Sequence, residues 1–418
     1  MFRFLHAADT HIDSPLDGLE AYDGAPVEAL RSATRRAFEN LVALALDEQV
    51  AFVLLAGDVY DGDWKDFSTG LFFGRQMARL NDAGIPVYLI AGNHDAASVL
   101  TRRLSLPPNV HVYSTRTAET KEVPGVPVVV HGRGFPNRAV PESLVPEYPA
   151  PVPGRFNVGL LHTSLMGAPG HDTYAPCALR DLEQKGYDYW ALGHVHLPQV
   201  LAERPWVVFA GNTQGRHIRE TGARGCRLVT VDDSLDVVSA EHRALDVVRW
   251  SAVTVDVAGI DHESAALALV GDALRRASHE ADGRLLAARV TLLGATPLHD
   301  HLRRDLPRLR AECIAQAQLV AGEGIWIEEV EVATVPVVDP DALARRDDLT
   351  RVVLASLQAA GERRLEVPAE IDALLKVLPG ELRTAADAEL ADEGRVALLD
   401  DVRAIVLDAL ATRSGAVP

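Results

Sequence analysis

Five short apolar runs in the first half of the chain each end on residues able to bind a metal ion. Residues 2–8 (FRFLHAA) run into Asp9-Thr10-His11, and 51–56 (AFVLLA) into Gly57-Asp58. Residues 86–91 (PVYLIA) lead to Gly92-Asn93-His94-Asp95, 156–161 (FNVGLL) to His162, and 187–192 (YDYWAL) to Gly193-His194-Val195-His196. Residues two apart on extended chain point the same way, so Asp9 with His11, and His194 with His196, are expected to reach one ion. One carboxylate, Asp58, is able to bridge two ions, and Asn93 adds a neutral oxygen. Glycines before the ligands let the backbone turn without a Cβ clash. This mixture of imidazole, carboxylate and amide suits Mn²⁺, Fe²⁺ or Zn²⁺ better than Ca²⁺. Two such ions lower the pKa of a shared water and clamp phosphoryl oxygens. Turn and capping chemistry also favours Asp, Asn and Gly at strand ends. It does not account for the four imidazoles of His11, His162, His194 and His196.

The elements that must position these residues follow from the apolar pattern. Continuous apolar runs separated by helices at 26–48 and 67–83 predict a sheet covered on both faces, with ligands gathered beyond the carboxyl ends of its strands. From 110 to 243 strands dominate. They are expected at 121–131, 156–161 and 187–192, with a Pro-rich loop at 136–154, and at 199–203, 206–210 and 225–231 as antiparallel neighbours. An α/β layer followed by a β-rich half predicts an α/β fold built as a two-sheet sandwich flanked by helices. Strands at 247–256, 286–293 and 325–333 alternate with helices at 261–280 and 298–320, which predicts a small α/β accessory domain. Residues 335–341 read as a linker, and 342–418 as a helical region. There Val396, Leu399, Val402, Val406 and Leu410 fall on one helical face, to pack on its own domain or to dock on a partner. The expected division is therefore 1–246, 247–335 and 342–418.

Composition narrows the function. Of 418 residues, 59 are acidic and 41 are Lys or Arg, a net charge of −18. Hydrophobic residues at 48% and charged residues at 24% describe a folded soluble chain and exclude a disordered or collagen-like one. The acid excess argues against a protein that grips nucleic acid over a broad surface. It is uneven: 30 acids face 23 basic residues in 1–250, and 29 face 18 in 251–418. Across 216–227 the balance reverses, with Arg216, Arg219, Arg224 and Arg227 and a single acid, Glu220. Arg216 and Arg219 are the candidate phosphate contacts, set against a plain solvated loop with local ion pairs. Cys177, Cys226 and Cys313 are too few and too scattered for a disulfide framework or a zinc site. With no signal-peptide pattern and no apolar run of about 18 residues, a cytoplasmic protein without membrane contact is expected.

Taken jointly, Asp9-x-His11, Gly57-Asp58-(x2)-Asp61, Gly92-Asn93-His94-Asp95, His162 and Gly193-His194-x-His196 resemble the motif series of calcineurin-like metallophosphoesterases. The phrases LHAADTHIDSPL (5–16), GDVYDGDW (57–64), YAPCALRDLEQKGYDYWALGHVH (174–196) and AGNTQGRHIRETGARGC (210–226) resemble the SbcD and YhaO branch of DNA-repair exonucleases. That resemblance implies one ion on Asp9, His11, Asp58 and His196, and a second on Asp58, Asn93, His162 and His194. It implies that His94 protonates the leaving oxygen, or stabilises the transition state, while a hydroxide held between the ions attacks phosphorus in line. Asp95 is expected to orient His94, with a helix N-cap as its alternative role. Mn²⁺ is the expected ion, with Fe²⁺, Zn²⁺ and Mg²⁺ as alternatives. DNA is the implied substrate and an SMC-like coiled-coil ATPase of SbcC or YhaN type the implied partner, with a homodimer left open. The rival readings are an esterase for cyclic nucleotides or other small phosphate esters, and a non-catalytic DNA-end-binding subunit. One departure stands out: Asp61 occupies a position that is often His in SbcD-type nucleases.

Overall fold

The structure, a computed structural model, describes residues 1–14, 25–61, 67–96, 106–165 and 174–337. The helical region expected at 342–418 lies outside the described residues. In chain order the elements are β1 (Phe2–Ala7), α1 (Val27–Asp47), β2 (Phe52–Leu55), α2 (Ser68–Asp82), β3 (Val87–Leu89), α3 (Asn93–Ala96), β4 (Val110–Val112), β5 (Glu119–Val123), β6 (Val128–Gly132) and β7 (Phe156–His162). There follow α4 (Leu179–Gln184), β8 (Tyr189–Gly193), β9 (Gln199–Glu203), β10 (Trp206–Phe209), β11 (Gly225–Val231), β12 (Val237–Ala244), β13 (Val248–Asp256), α5 (Glu263–Glu280), β14 (Leu285–Ala295), α6 (His299–Arg304), α7 (Leu306–Ala321) and β15 (Ile325–Val335).

Two six-stranded sheets form the sandwich, in the orders β12-β11-β1-β2-β3-β4 and β5-β6-β7-β8-β10-β9. Strands β1 to β4 run parallel, as do β6, β7, β8 and β10. Their carboxyl ends therefore leave each sheet on a common edge. The apolar runs are continuous because both faces of each strand are covered. In β2, Phe52 and Leu54 pack between the sheets, while Val53 and Leu55 pack under the helices. Helices α1 and α2 cover that outer face with Phe38, Leu41, Ala45, Phe73, Met77 and Leu80, at the three- and four-residue spacing of an amphipathic helix. Between the sheets Phe4 stacks on Phe52 at 4.7 Å, and Tyr189 meets Phe4 edge-on at 5.3 Å. His6, buried in this layer, ties the sheets together. Its Nε2 lies 3.2 Å from the Leu192 carbonyl and its Nδ1 3.0 Å from the Tyr189 hydroxyl. Burial pushes its pKa down to about 3, so the ring is neutral, donating to the carbonyl and accepting from the hydroxyl.

Three sequence expectations are corrected. The strand expected at 121–131 is a hairpin, because Pro124-Gly125 turns the chain with Gly125 at φ +79°. Strand β11 is no neighbour of β9 and β10. It pairs antiparallel with β1 and β12 in the first sheet, while β10 pairs parallel with β8. The helix expected at 298–320 breaks at Asp305 (φ −140°), one residue before the helix whose second position is Pro307, where a missing N–H costs nothing.

The chain forms two compact units. Among the described residues, one comprises Met1–Ala252, Leu274–Arg289 and Ala317–Glu328; the other comprises Val253–Ala273, Val290–Gln316 and 329–337. The third sheet has the order β13-β14-β15. Within the first unit Trp250 and Trp326 meet edge-on at 5.8 Å, and Arg289 pairs with Glu328 at 2.7 Å. Within the second, Arg308 and His301 converge on Glu263. No helix among the described residues is long and apolar enough to cross a membrane. All three cysteines are free and buried.

Candidate metal centre

The loops after β1 and β2 are zipped to one another beyond the ends of their strands. Asp9 N donates to the Gly57 carbonyl at 3.1 Å, His11 N to Asp58 O at 3.1 Å and Ile12 N to Val59 O at 2.9 Å. This pairing holds Asp9 (φ 49°), His11 (φ 40°) and Asp58 (φ 50°) in the left-handed region, and His194 (φ 98°) joins them from β8. Such backbone costs about 1–3 kcal/mol per residue and persists where neighbours over-determine it. The extended-chain argument therefore fails for both pairs: His194 and His196 fall in different ligand groups, and for Asp9 and His11 its premise does not hold. They converge because both backbones turn left-handed, not because the segment stays extended.

The turned side chains meet. Asp9 accepts the backbone N–H of His194 at 3.0 Å on each oxygen. Asp58 Oδ1 accepts the N–H of His94 at 2.9 Å, and its Oδ2 lies 3.3 Å from His162 Nε2. Asn93 Oδ1 is 2.9 Å from the same Nε2, while His162 Nδ1 donates to the Ala56 carbonyl at 2.9 Å. His11 Nε2 faces His196 Nε2 at 3.2 Å. Among the described residues three groups have ligand atoms within 4.8 Å of one another: Asp9, His11 and His196; His11, Asp58 and His94; and Asp58, His162 and His194. Asp58 stands in two of them. Apart from the half-buried His94 and His196, these residues are buried.

The electrostatics are those of a cation site. Burial alone would raise the Asp58 pKa, yet His162, His11 and His94 together hold its carboxyl well below the usual range. Burial acts to neutralise His162, but Asp58 and Asp9 push it up to about 9. A cation held by His162 would have to displace that proton, so its affinity would rise with pH. His11 Nδ1 is buried with no hydrogen-bond partner. An imidazole nitrogen without a hydrogen-bond partner, two imidazoles turned on one point and two carboxylates, one of them shared between groups, make a donor set that fits divalent ions.

The remaining candidates divide. Asp95 does not reach His94. Its carboxylate caps the Val59, Tyr60 and Gly92 amides at 3.2, 3.0 and 3.0 Å, because α3 turns it back onto the β2 loop. The carboxylate that orients His94 is Asp61, with Oδ1 2.7 Å from Nδ1. Asp61 Oδ2 takes the Ser14 hydroxyl at 2.6 Å and Arg216 Nη1 at 3.0 Å. Arg216 thus stands at the site, whereas Arg219 is exposed. Arg224 is buried against the His196 and Thr221 carbonyls and Asn212, and Arg227 bonds the Ala240 carbonyl. Glu220 is the functional residue the sequence reading passed over. It takes His196 Nδ1 at 2.6 Å, Asn212 Nδ2 at 2.9 Å and Arg216 N at 2.8 Å, and so fixes the ring with Nε2 toward the centre. Its signal was its isolation as the one acid in a basic stretch.

Gly92 is a steric requirement of the centre. A Cβ there would lie 2.2 Å from Asp58 Oδ1 and 2.7 Å from Asp58 N. Gly92→Ala should displace the Asp58 carboxylate, lowering metal content and costing about 1–3 kcal/mol of stability. Elemental analysis and urea unfolding check this.

A dinuclear-type donor set delivered in this order by five strand ends defines a metallophosphoesterase. The profile of the calcineurin-like phosphoesterases matches residues 2–198, and that of the metallophosphoesterase YhaO middle domain matches 250–335. The uncharacterized metallophosphoesterase YhaO of Bacillus subtilis is 36% identical over 298 residues, covering 70% of this chain and 72% of that protein. The chain belongs to the YhaO family of calcineurin-like metallophosphoesterases. It is also similar to the DNA double-strand break repair protein Mre11 of Haloferax volcanii, 29% identical over 273 residues, where the match spans 62% of this chain and 56% of that one. A crystal structure of a dimetal phosphatase from Danio rerio aligns at TM-score 0.34 and 12% identity over 58% of this chain and 99% of that one.

Proposed function

We propose that this metallophosphoesterase hydrolyses phosphodiester bonds of DNA in the cytoplasm, as a repair exonuclease with two divalent ions, Mn²⁺ foremost. The observation that carries the reading is the shared carboxylate: Asp58 stands in two ligand clusters that together hold His11, His94, His162 and His194. One ion would be held by Asp9, His11, His196 and Asp58, the other by Asp58, Asn93, His162 and His194. Bound there, two ions neutralise phosphoryl oxygens and make water a nucleophile at neutral pH. The chain's own residues do the rest. Glu220 holds His196 in one tautomer, as the Ala56 carbonyl does His162. His94, half-exposed and braced by Asp61, presents Nε2 to the leaving oxygen as a proton donor. Arg216 neutralises Asp61 and positions it.

DNA as substrate is supported by the likeness to proteins named for double-strand break repair. The acid excess leaves little basic surface, so the isolated chain is expected to bind DNA weakly, with an SMC-like ATPase supplying most of the affinity. The 250–335 module would help shape access to the site. The test is the Mn²⁺-loaded chain on labelled single-stranded and duplex oligonucleotides beside bis-p-nitrophenyl phosphate and cyclic nucleotides. Release of 5′-nucleotides is the expected result. Turnover of the small esters alone would remove the nuclease reading and leave the small-ester one.

A further inference from the structure

The loop from Gly211 to Glu220 reaches the site by two arms. Glu220 takes His196 Nδ1 at 2.6 Å, and Arg216 Nη1 donates to Asp61 Oδ2 at 3.0 Å. Gly215 lies between the arms, and its carbonyl is held from two sides. The Trp250 indole N–H donates to it at 3.0 Å and the Gln214 amide at 2.8 Å. Gln214, 2% exposed, also donates to the Val248 carbonyl at 2.7 Å and accepts Val247 N at 2.8 Å and Val248 N at 3.3 Å. Its amide thus stitches the loop to the start of β13. The Gly222 N–H closes the far side of the loop on the Trp250 carbonyl at 3.0 Å. The fit is tight: a Cβ on Gly215 would come within 2.7 Å of Glu220 O and 3.0 Å of Trp250 Cδ1.

We propose that Trp250 and Gln214 are positioning residues for one of the two metal sites: by clamping Gly215 they hold Glu220 where it orients His196. The proposal rests on the dinuclear reading above and deepens it. It carries an asymmetry. His162, in the other cluster, is oriented by the Ala56 carbonyl at the end of β2, which the loop does not hold. Loosening the clamp therefore frees His196, with Asp9 and His11 as its neighbours, and spares the cluster of Asp58, His162 and His194.

Trp250→Phe deletes the indole N–H and keeps an aromatic ring against Trp326. Mn²⁺ is titrated into the full chain by calorimetry and followed by electron paramagnetic resonance, which separates isolated from spin-coupled ions. The wild-type chain should take two ions as a coupled pair. In Trp250→Phe one ion should bind as in the wild type and the other about 10-fold more weakly. The isolated six-line signal then grows at the expense of the coupled one while the melting temperature changes little. Gln214→Leu should weaken the same ion further, toward about 100-fold. If Gln214→Leu does not fold, Trp250→Phe decides. Two ions bound with wild-type affinities in Trp250→Phe would overturn the proposal, as would equal weakening of both. A wild-type chain that takes fewer than two ions would instead overturn the dinuclear reading, and this inference with it.

Discussion

Asp58→Ala should leave a folded chain with phosphodiesterase activity lower by roughly 10³-fold or more and no ion bound tightly at either site. The expectation comes from how many jobs the carboxylate does. One oxygen accepts the His94 N–H at 2.9 Å and the other lies 3.3 Å from His162 Nε2. The residue belongs to two of the three ligand groups. Its charge is also what pushes His162 up to about 9 against burial. Without it that ring becomes a neutral imidazole in a site that has lost its shared anion. Asp58→Asn separates the roles. The amide keeps an oxygen for the His94 N–H and discards the charge, so activity and metal should fall nearly as far as in the alanine variant. Elemental analysis of dialysed protein and hydrolysis of bis-p-nitrophenyl phosphate measure the two quantities. An active variant carrying two ions would refute the bridging role.

The strand ends were legible because covering a sheet on both faces makes its strands continuous apolar runs, and such sheets gather ligands at their carboxyl ends. That reasoning placed Asp9, Asp58, Asn93, His162 and His194 at or just past strand ends, where the structure has them. It failed where the answer depends on backbone turned out of the extended range. Asp9 and His11 converge through left-handed residues, which alternation along a strand cannot foresee. Neighbours in sequence misled in the same way. Asp95, adjacent to His94, is carried away by the turn of α3 onto three backbone amides, while Asp61 crosses 33 positions to meet the ring. Glu220 reaches His196 across 24 positions, and no local pattern encodes that pairing. Partner choice among short strands is equally non-local: β11 reads like β10, yet it lies in the opposite sheet.

His94→Ala should keep both ions while turnover falls by about 10²- to 10⁴-fold, the range for losing a positioned proton donor. The geometry separates His94 from Asn93, the ligand before it in sequence. Its Nδ1 is engaged by Asp61 at 2.7 Å, its ring stands edge-on to His11 at 4.9 Å, and its side chain is 30% exposed where Asn93 and His11 are buried. The hydrogen bond to Asp61 raises its pKa above the ordinary imidazole value, with burial opposing and Asp58 adding to the rise. A donor must carry its proton. Activity that depends on protonated His94 is therefore present below that raised pKa and is lost as pH climbs through it. Asp61→Asn removes the charge that holds the proton, so the descending limb of the pH–rate profile should move to lower pH at saturating Mn²⁺. The same substitution removes the carboxylate that Arg216 Nη1 meets at 3.0 Å, leaving that positive charge less neutralised beside the ring, which acts in the same direction. Loss of metal from His94→Ala would make the residue a ligand. An unmoved alkaline limb in Asp61→Asn would make the Asp61 contact a structural one.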